Sequence, residues 1–279
     1  MSSTRDLVLF FLATTAKKQE EADVFSSTVF PYLTYAQLSW RLPNVPQSTL
    51  RGAVATLQRE SLISTVQRGG SAHMRLTSVG REAVLVQFPR SVFLKKKWDE
   101  RWRILIFRGV REFGQDYLDK EKKAGLSQEY RALRGTLSTW GFMSLTRGVY
   151  ATPFPIDDRM ISTLAKAKKL KLLIGLETRR FLFGDEKEFV RQSWNLDFLS
   201  KQYAKLRTRA VGLLNGVERQ NELNDSIKHQ FSLLSTHIYQ MLKSDPGLPA
   251  QLLPDDFQAE KCWSTYTALS ASLDTLEEK

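Results

Sequence analysis

Cysteine is almost absent: Cys262 stands alone, so no internal disulfide can form and the expected surroundings are reducing. Histidine is nearly as scarce. His73, His229 and His237 lie far apart in the chain, and nothing has the spacing of a metal site. Long apolar runs are missing too. Leu7 to Ala13 is apolar, yet it is far shorter than a membrane span and lacks the flank and cleavage site of a signal peptide. A disulfide scaffold, a zinc module and a membrane-spanning chain are therefore excluded as readings. The expected location is the cytoplasm, with no membrane partner. Acidic residues are scarce in one region in particular. From Trp40 to Arg90, Glu60 and Glu82 face seven arginines, Arg41, Arg51, Arg59, Arg68, Arg75, Arg81 and Arg90.

What is present is a chain of 279 residues, 42% hydrophobic and 25% charged. That is enough for two or three domains with a real core. The net charge of +11 and a pI near 9.7 point to a polyanionic partner, nucleic acid before an anionic membrane or a phosphorylated ligand. The charge is uneven. From Ser91 to Arg111, seven Lys and Arg stand against Asp99 and Glu100, whereas from Asp245 to Lys279 seven acids stand against Lys261 and Lys279. The positive field belongs to the N-terminal part and the start of the centre.

Residues 1–90 read as a helix-turn-helix with a wing. Asp6–Thr15 is a helix with Leu7, Phe10 and Phe11 toward a core, and Lys17–Asp23 is a polar break. Thr34 can cap a second helix, Tyr35–Arg41. Leu42-Pro43-Asn44-Val45 is a turn, and Pro46 fits the first position of a third helix. On that helix Leu50, Ala53, Val54 and Leu57 make one apolar stripe. The opposite side carries Ser48, Arg51, Gly52, Ala55 and Arg59, flanked by Gln47, Thr49 and Thr56, with no acid before Glu60. Short side chains allow close approach to a major groove, and Arg and Gln reach base and phosphate edges. Ile63–Arg68 and His73–Thr77 read as strands joined by Gly69–Ala72, a hairpin with Arg68 and Arg75 near its tip. Ser78–Phe88 returns as a helix. The candidate DNA-binding residues are Gln47, Ser48, Thr49, Arg51, Ala55 and Arg59 on the helix, with Arg68, His73 and Arg75 on the wing. Any one exposed arginine is more often a solvated charge than a base reader; the ratio of seven arginines to two acids carries the reading.

Pro89–Lys97 is a link, and its Lys95-Lys96-Lys97 run can add phosphate contacts. Trp98 and Trp102 read as packing residues. Beyond them, Ile104–Phe107 is a strand and Ser127–Trp140 a helix, with Tyr130, Leu133, Leu137 and Trp140 at helical spacing and Gly141 as its stop. Phe142–Leu145 and Gly148–Thr152 are strands, Asp157–Lys169 a helix and Leu170–Leu176 a last strand. This is the order of a ferredoxin-like unit. Arg111–Lys123 is a charged insert to which no function is assigned. Further on, Arg179–Gly184 reads as a short strand and Glu186–Gln192 as a helical turn. Leu233, Leu234, His237, Ile238, Met241 and Leu242 make an amphipathic helix on which His237 is a packing residue, and Asp245–Pro254 is a Pro-rich crossing segment.

Three segments carry a resemblance: Trp98-Asp99-Glu100-Arg101-Trp102-Arg103; Tyr130–Arg134 with Trp140-Gly141-Phe142 and Gly148–Pro153; and, in the C-terminal part, Trp194-Asn195-Leu196-Asp197 with Leu233–Tyr239 and Asp245–Phe257. The chain resembles the PaaX family of bacterial transcriptional repressors. Asn195, Gln240 and Phe257 depart from the family's usual residues. The resemblance implies an α+β protein with a winged helix-turn-helix head at 1–90, a Cas2-like, ferredoxin-like dimerisation domain at 91–177 and a mainly helical C-terminal domain at 178–279. It implies double-stranded DNA and a second copy of the chain as partners, and an acyl-CoA effector such as phenylacetyl-CoA, with no resident cofactor. Arg179, Arg180 and Lys171 can meet CoA phosphates, although a solvated face is the commoner role for each. Cas2 nucleases place a metal-binding aspartate at the end of the first strand. Phe107 or Arg108 stands there in this chain, and neither binds Mg²⁺. The expectation is therefore a dimeric repressor without catalysis, relieved by its effector; a Cas2-like metal-dependent nuclease is the alternative.

Overall fold

A computed structural model describes residues 3–14, 32–87, 98–107, 132–167, 173–179, 181, 183–220 and 222–277. The insert at 111–123, with Asp116 and Asp119, lies outside the described residues, as do Arg108, Lys171, Arg180 and the link at 89–97. The chain is α+β, with small antiparallel sheets and long C-terminal helices. It folds as two compact units. One is built from 1–94, 198–247 and 256–279, the other from 95–197 and 248–255.

In the first unit, α1 (Thr4–Thr14) is buried from Leu7 through Thr14. A helix that is apolar on every side has to be enclosed, and LVLFFLA is such a sequence. The strand β1 (Leu33–Thr34) leads into α2 (Tyr35–Arg41), which starts with a capping box: the Thr34 hydroxyl accepts from the Gln37 N–H and the Gln37 side chain accepts from the Thr34 N–H, satisfying two otherwise orphaned donors. A turn at 42–46 joins α2 to α3 (Gln47–Arg59), with Pro46 as its cap residue, one place earlier than the sequence suggested. The hairpin follows as β2 (Ile63–Arg68) and β3 (Ser71–Leu76), then α4 (Ser78–Gln87). The turn is shorter than the four residues expected. Gly69 and Gly70 take φ of 55° and 78°, the left-handed pair that a two-residue hairpin needs, so Ser71 and Ala72 join the ladder opposite Arg68 and Gln67. The three-stranded sheet has the order β1-β3-β2.

The C-terminal helices α8 (Leu196–Gln220), α9 (Asp225–Ser244) and α10 (Ala259–Glu277) complete this unit from Phe198 onward. Phe10 of α1 lies edge-on to Tyr239 of α9 at 5.6 Å and stacks on Tyr266 of α10 at 6.4 Å, while Phe231 stacks on Tyr266 at 5.6 Å. One apolar core thus runs from Leu7 and Leu50 to Leu234 and Leu273. The packing groups the chain differently from the division into 1–90, 91–177 and 178–279: residues 1–90 share their core with 198–247 and 256–279. Arg41 follows from this. Expected within the positive field, it is fully buried and paired with Asp274 of α10.

In the second unit, β4 (Trp102–Phe107) is one of the two inner strands of a sheet ordered β5-β6-β4-β7, with β5 (Met143–Thr146), β6 (Val149–Thr152) and β7 (Leu173–Thr178). All neighbours are antiparallel. Residues 132–139 form α5 before β5, and α6 (Asp158–Ala167) precedes β7. This is the split βαββαβ order of a ferredoxin-like unit. Leu105, Phe107 and Tyr150 on one sheet face pack on Leu133, Leu137 and Leu164 of the two helices. The other face aligns Ile104 with Leu176 and Ile106 with Ile174, and there Leu176 is 49% and Ile174 37% exposed.

Trp102 is enclosed by Trp98, Phe181, Phe189 and Trp194 at 5.4–6.2 Å, so it packs, as expected. Arg103 of the same motif is buried, and its donors go to Asp99, Glu177 and the carbonyls of Arg101 and Pro153. Arg101 pairs with Glu177 as well. These contacts lower the Asp99 and Glu177 carboxyls below the usual range and raise the Arg103 guanidinium. The Arg179–Gly184 stretch is not a strand among its described residues. Gly184 turns the chain at φ 88°, and Phe181 is drawn into the Trp102 cluster instead of a ladder. The helix α7 (Glu186–Ser193) follows, capped by Asp185.

Candidate nucleic-acid interface

The inward side of α3 is Leu50, Val54 and Leu57, all buried. That anchoring turns Gln47, Ser48, Thr49, Arg51, Gly52, Ala55 and Arg59 outward, and each is exposed. Gly52 is informative. A Cβ built there meets nothing within 4 Å, so packing within the protein does not require glycine. A helix-interior glycine costs about 0.5–1 kcal/mol relative to alanine, and what it leaves is a stretch of bare backbone between Arg51 and the Ala55–Arg59 turn. Glu60, the one acid at the end of this helix, is paired with Arg5 of α1. The side chain of Gln58 reaches Thr65 of β2 at 2.5 Å and links helix to hairpin.

Strand alternation sorts the hairpin into two faces. Ile63, Met74 and Leu76 point to the core. The register pairs Ser64 with Arg75, Val66 with His73 and Arg68 with Ser71, which puts Arg68, His73 and Arg75 together on the other face. Arg68 is exposed; His73 and Arg75 are half-buried. Tyr32 holds this group together. The Arg68 guanidinium lies 4.3 Å and the Arg75 guanidinium 5.4 Å from the centre of its ring, His73 meets it edge-on at 6.3 Å, and Arg75 also donates to the Ser64 hydroxyl at 3.3 Å. Tyr32 had no signal in the sequence, because a two-residue strand such as β1 has no periodicity to read.

Arg51 has a second neighbourhood. With Gln47 it borders a cleft of about 610 Å³ whose other walls are Tyr35, Ala36, Ser39, Trp40, Pro43, Asp225 and Lys228. Burial raises the Tyr35 hydroxyl above its ordinary pKa, and the nearby Arg51 charge opposes that rise. Cys262 has no part in any such surface: it is buried and its thiol is pushed up to about 11.

The nuclease alternative looks to the end of β4. Phe107 is buried there with its ring 5.6 Å from Tyr150. Among the described residues no three His, Cys, Asp or Glu side chains lie close enough to hold a metal ion. No helix among them is long and apolar enough to cross a membrane.

Comparison with known proteins agrees with the C-terminal helices. Residues 194–279 match the family model of the PaaX-like protein C-terminal domain. In fold the chain is similar to uncharacterized protein Rv0674 from Mycobacterium tuberculosis, with a TM-score of 0.50 and 17% identity over 99% of this chain and 97% of that one. No curated protein matches the sequence.

Proposed function

The chain carries a PaaX-like protein C-terminal domain over residues 194–279, and on that premise we propose that it is a sequence-specific, DNA-binding transcriptional regulator, acting as a dimeric repressor in the cytoplasm. The observation that carries the proposal is the outward face of α3. It is cationic, built of small residues and free of acids from Gln47 to Arg59, and it is followed by a hairpin whose solvent side holds Arg68, His73 and Arg75. In this reading α3 enters the major groove, where Arg51 and Gln47 reach base edges, and Gly52 and Ala55 let the backbone come close. Arg59, Arg68, His73 and Arg75 meet phosphates as the wing flanks the groove.

A two-fold operator needs two such heads. The open face of the second unit's sheet, with Ile174 and Leu176 exposed, is the surface we assign to the second copy. An acyl-CoA effector belongs to the same reading, and a thermal-shift screen with acyl-CoA thioesters tests it.

DNA selected from a random pool by the purified protein decides the main claim. A recurring two-fold motif is expected, bound by a species that sediments as a dimer. Affinity should fall steeply with salt, as expected when phosphate contacts release counterions. Arg51→Ala should cost about 1–3 kcal/mol of affinity for that motif while leaving the melting temperature in place. A pool that yields no recurring motif, or an Arg51→Ala protein that binds it as well as the parent, removes the proposal.

A further inference from the structure

The cleft beside α3 is walled by two elements from opposite ends of the chain: α2 with the turn after it, and the first turn of α9. Two of its lining side chains bring buried donors that have no hydrogen-bond partner, the Tyr35 hydroxyl and the Trp40 indole N–H. Trp40 is itself 92% buried, being 8% exposed. Buried donors are nearly always satisfied, so each such exception asks for an acceptor. Two cations, Arg51 and Lys228, border the same space, and the N-terminal end of α9 adds the positive end of its helix dipole. Two cations and a helix N-terminus call for an anion, and the two unpartnered donors lie within the cleft walls, their atoms shielded from solvent. The remaining walls are the rings of Tyr35 and Trp40 together with Ala36 and Pro43, which suit a carbon body. Asp225 also borders the cleft, 3.8 Å from Lys228, and its charge favours a monoanion over a doubly charged phosphate.

We propose that this cleft binds a small organic carboxylate, and that its occupation draws Arg51 away from DNA. The ligand class follows from the lining, and a volume of about 610 Å³ is that of a small-molecule site. The regulatory half rests on the reading of α3 as the DNA-facing helix. Arg51 and Gln47 are common to both sites, and the one guanidinium cannot serve a guanine edge and a carboxylate together. Ligand and operator are then linked negatively, and the link is reciprocal.

The test starts with the full-length protein alone, titrated with benzoate, with its uncharged counterpart benzamide, and with inorganic phosphate, while tryptophan fluorescence and binding heat are recorded. Saturable binding of benzoate is expected, with benzamide and phosphate much weaker. Lys228→Gln, which removes one cation, should weaken benzoate binding about tenfold. Ala36→Phe, which fills the cleft from an exposed position on α2, should abolish it. Absence of saturable benzoate binding, benzamide binding as tight as benzoate, or benzoate affinity unchanged in both variants would each overturn the site. Because these measurements use no DNA, their outcome is separate from that of the DNA-binding reading. With DNA present, benzoate should weaken operator affinity in the parent protein but not in Ala36→Phe. Benzoate bound at the cleft with operator affinity unaltered would overturn the regulatory half.

Discussion

Gly52 and Asp245 show how a single side chain exposes a competing demand. At Gly52 nothing in the protein opposes a methyl group. Gly52→Ala should therefore stabilise the fold by about 0.5–1 kcal/mol, seen in a thermal melt, and at the same time weaken operator binding, seen by fluorescence anisotropy. If stability and affinity rise together, Gly52 does not face DNA. Asp245 is a carboxyl 8% exposed at the end of α9. It accepts from the Tyr203 hydroxyl at 2.5 Å and from the Gly247 N–H at 2.6 Å. Burial nevertheless raises it above its ordinary value of 3.8, and the two hydrogen bonds offset only part of the rise. The folded protein thus holds this proton more tightly than the unfolded chain does. Its contribution favours folding at low pH, declines as pH rises from the ordinary value through the folded one, and stays at the lower level above that. Urea melts across pH 4–8 should show this decline in the parent and its loss in Asp245→Asn. Asp245→Ala strands the Tyr203 hydroxyl and the Gly247 N–H, and should cost about 1–3 kcal/mol at any pH in that range. Residues of this kind divide by legibility. The outward set on α3 is readable because helical period separates it from Leu50, Val54 and Leu57. Tyr32, Tyr35 and Lys228 are not, because their partners are distant in sequence and no periodicity announces a meeting.

At the scale of elements, the joint between hairpin and α4 is the tightest in the head. Thr77 caps α4 by accepting from the Gly80 N–H at 3.0 Å, and its hydroxyl also reaches the Ser61 carbonyl at 2.6 Å. Gly80 lies against the backbone leading into β2, where a Cβ would stand 1.8 Å from the Leu62 carbonyl oxygen. Backbone on both sides cannot yield as a flexible side chain would. Gly80→Ala should lower stability by about 1–3 kcal/mol, measured by denaturant titration, and an unchanged midpoint would show that α4 can shift freely. Most elements were readable. Apolar period marks α1, α3 and the core strands; Thr34 marks the start of α2 and the Gly-Gly pair a turn. The hairpin turn is shorter than its residues suggest because Gly69 and Gly70 take positive φ, and among the described residues of 179–184 the expected strand gives way to the packing of Phe181 on Trp102.

For the whole molecule, the division into units was the least legible level, since a continuous core leaves no mark on composition. Contacts between α1 and the helices more than two hundred residues later decide it. A fragment ending at Leu94 would expose the sides of Phe10 and Phe11 that meet Tyr239, Tyr266 and Phe231, along with an unpaired Arg41. Such a fragment should lack a cooperative melt by circular dichroism and should fail to bind the DNA motif proposed for the full chain. A fragment that melts cooperatively near the full chain's temperature would show the head to be autonomous.

The tie between Arg41 and Asp274 also orders events in time. On a ribosome adding about 5–20 residues per second, α1 emerges on the order of tens of seconds before α10, and until then its greasy sides have no home. Nascent chains must keep this segment shielded while they grow, and a copy cut short by a late stop codon arrives with α1 still uncovered.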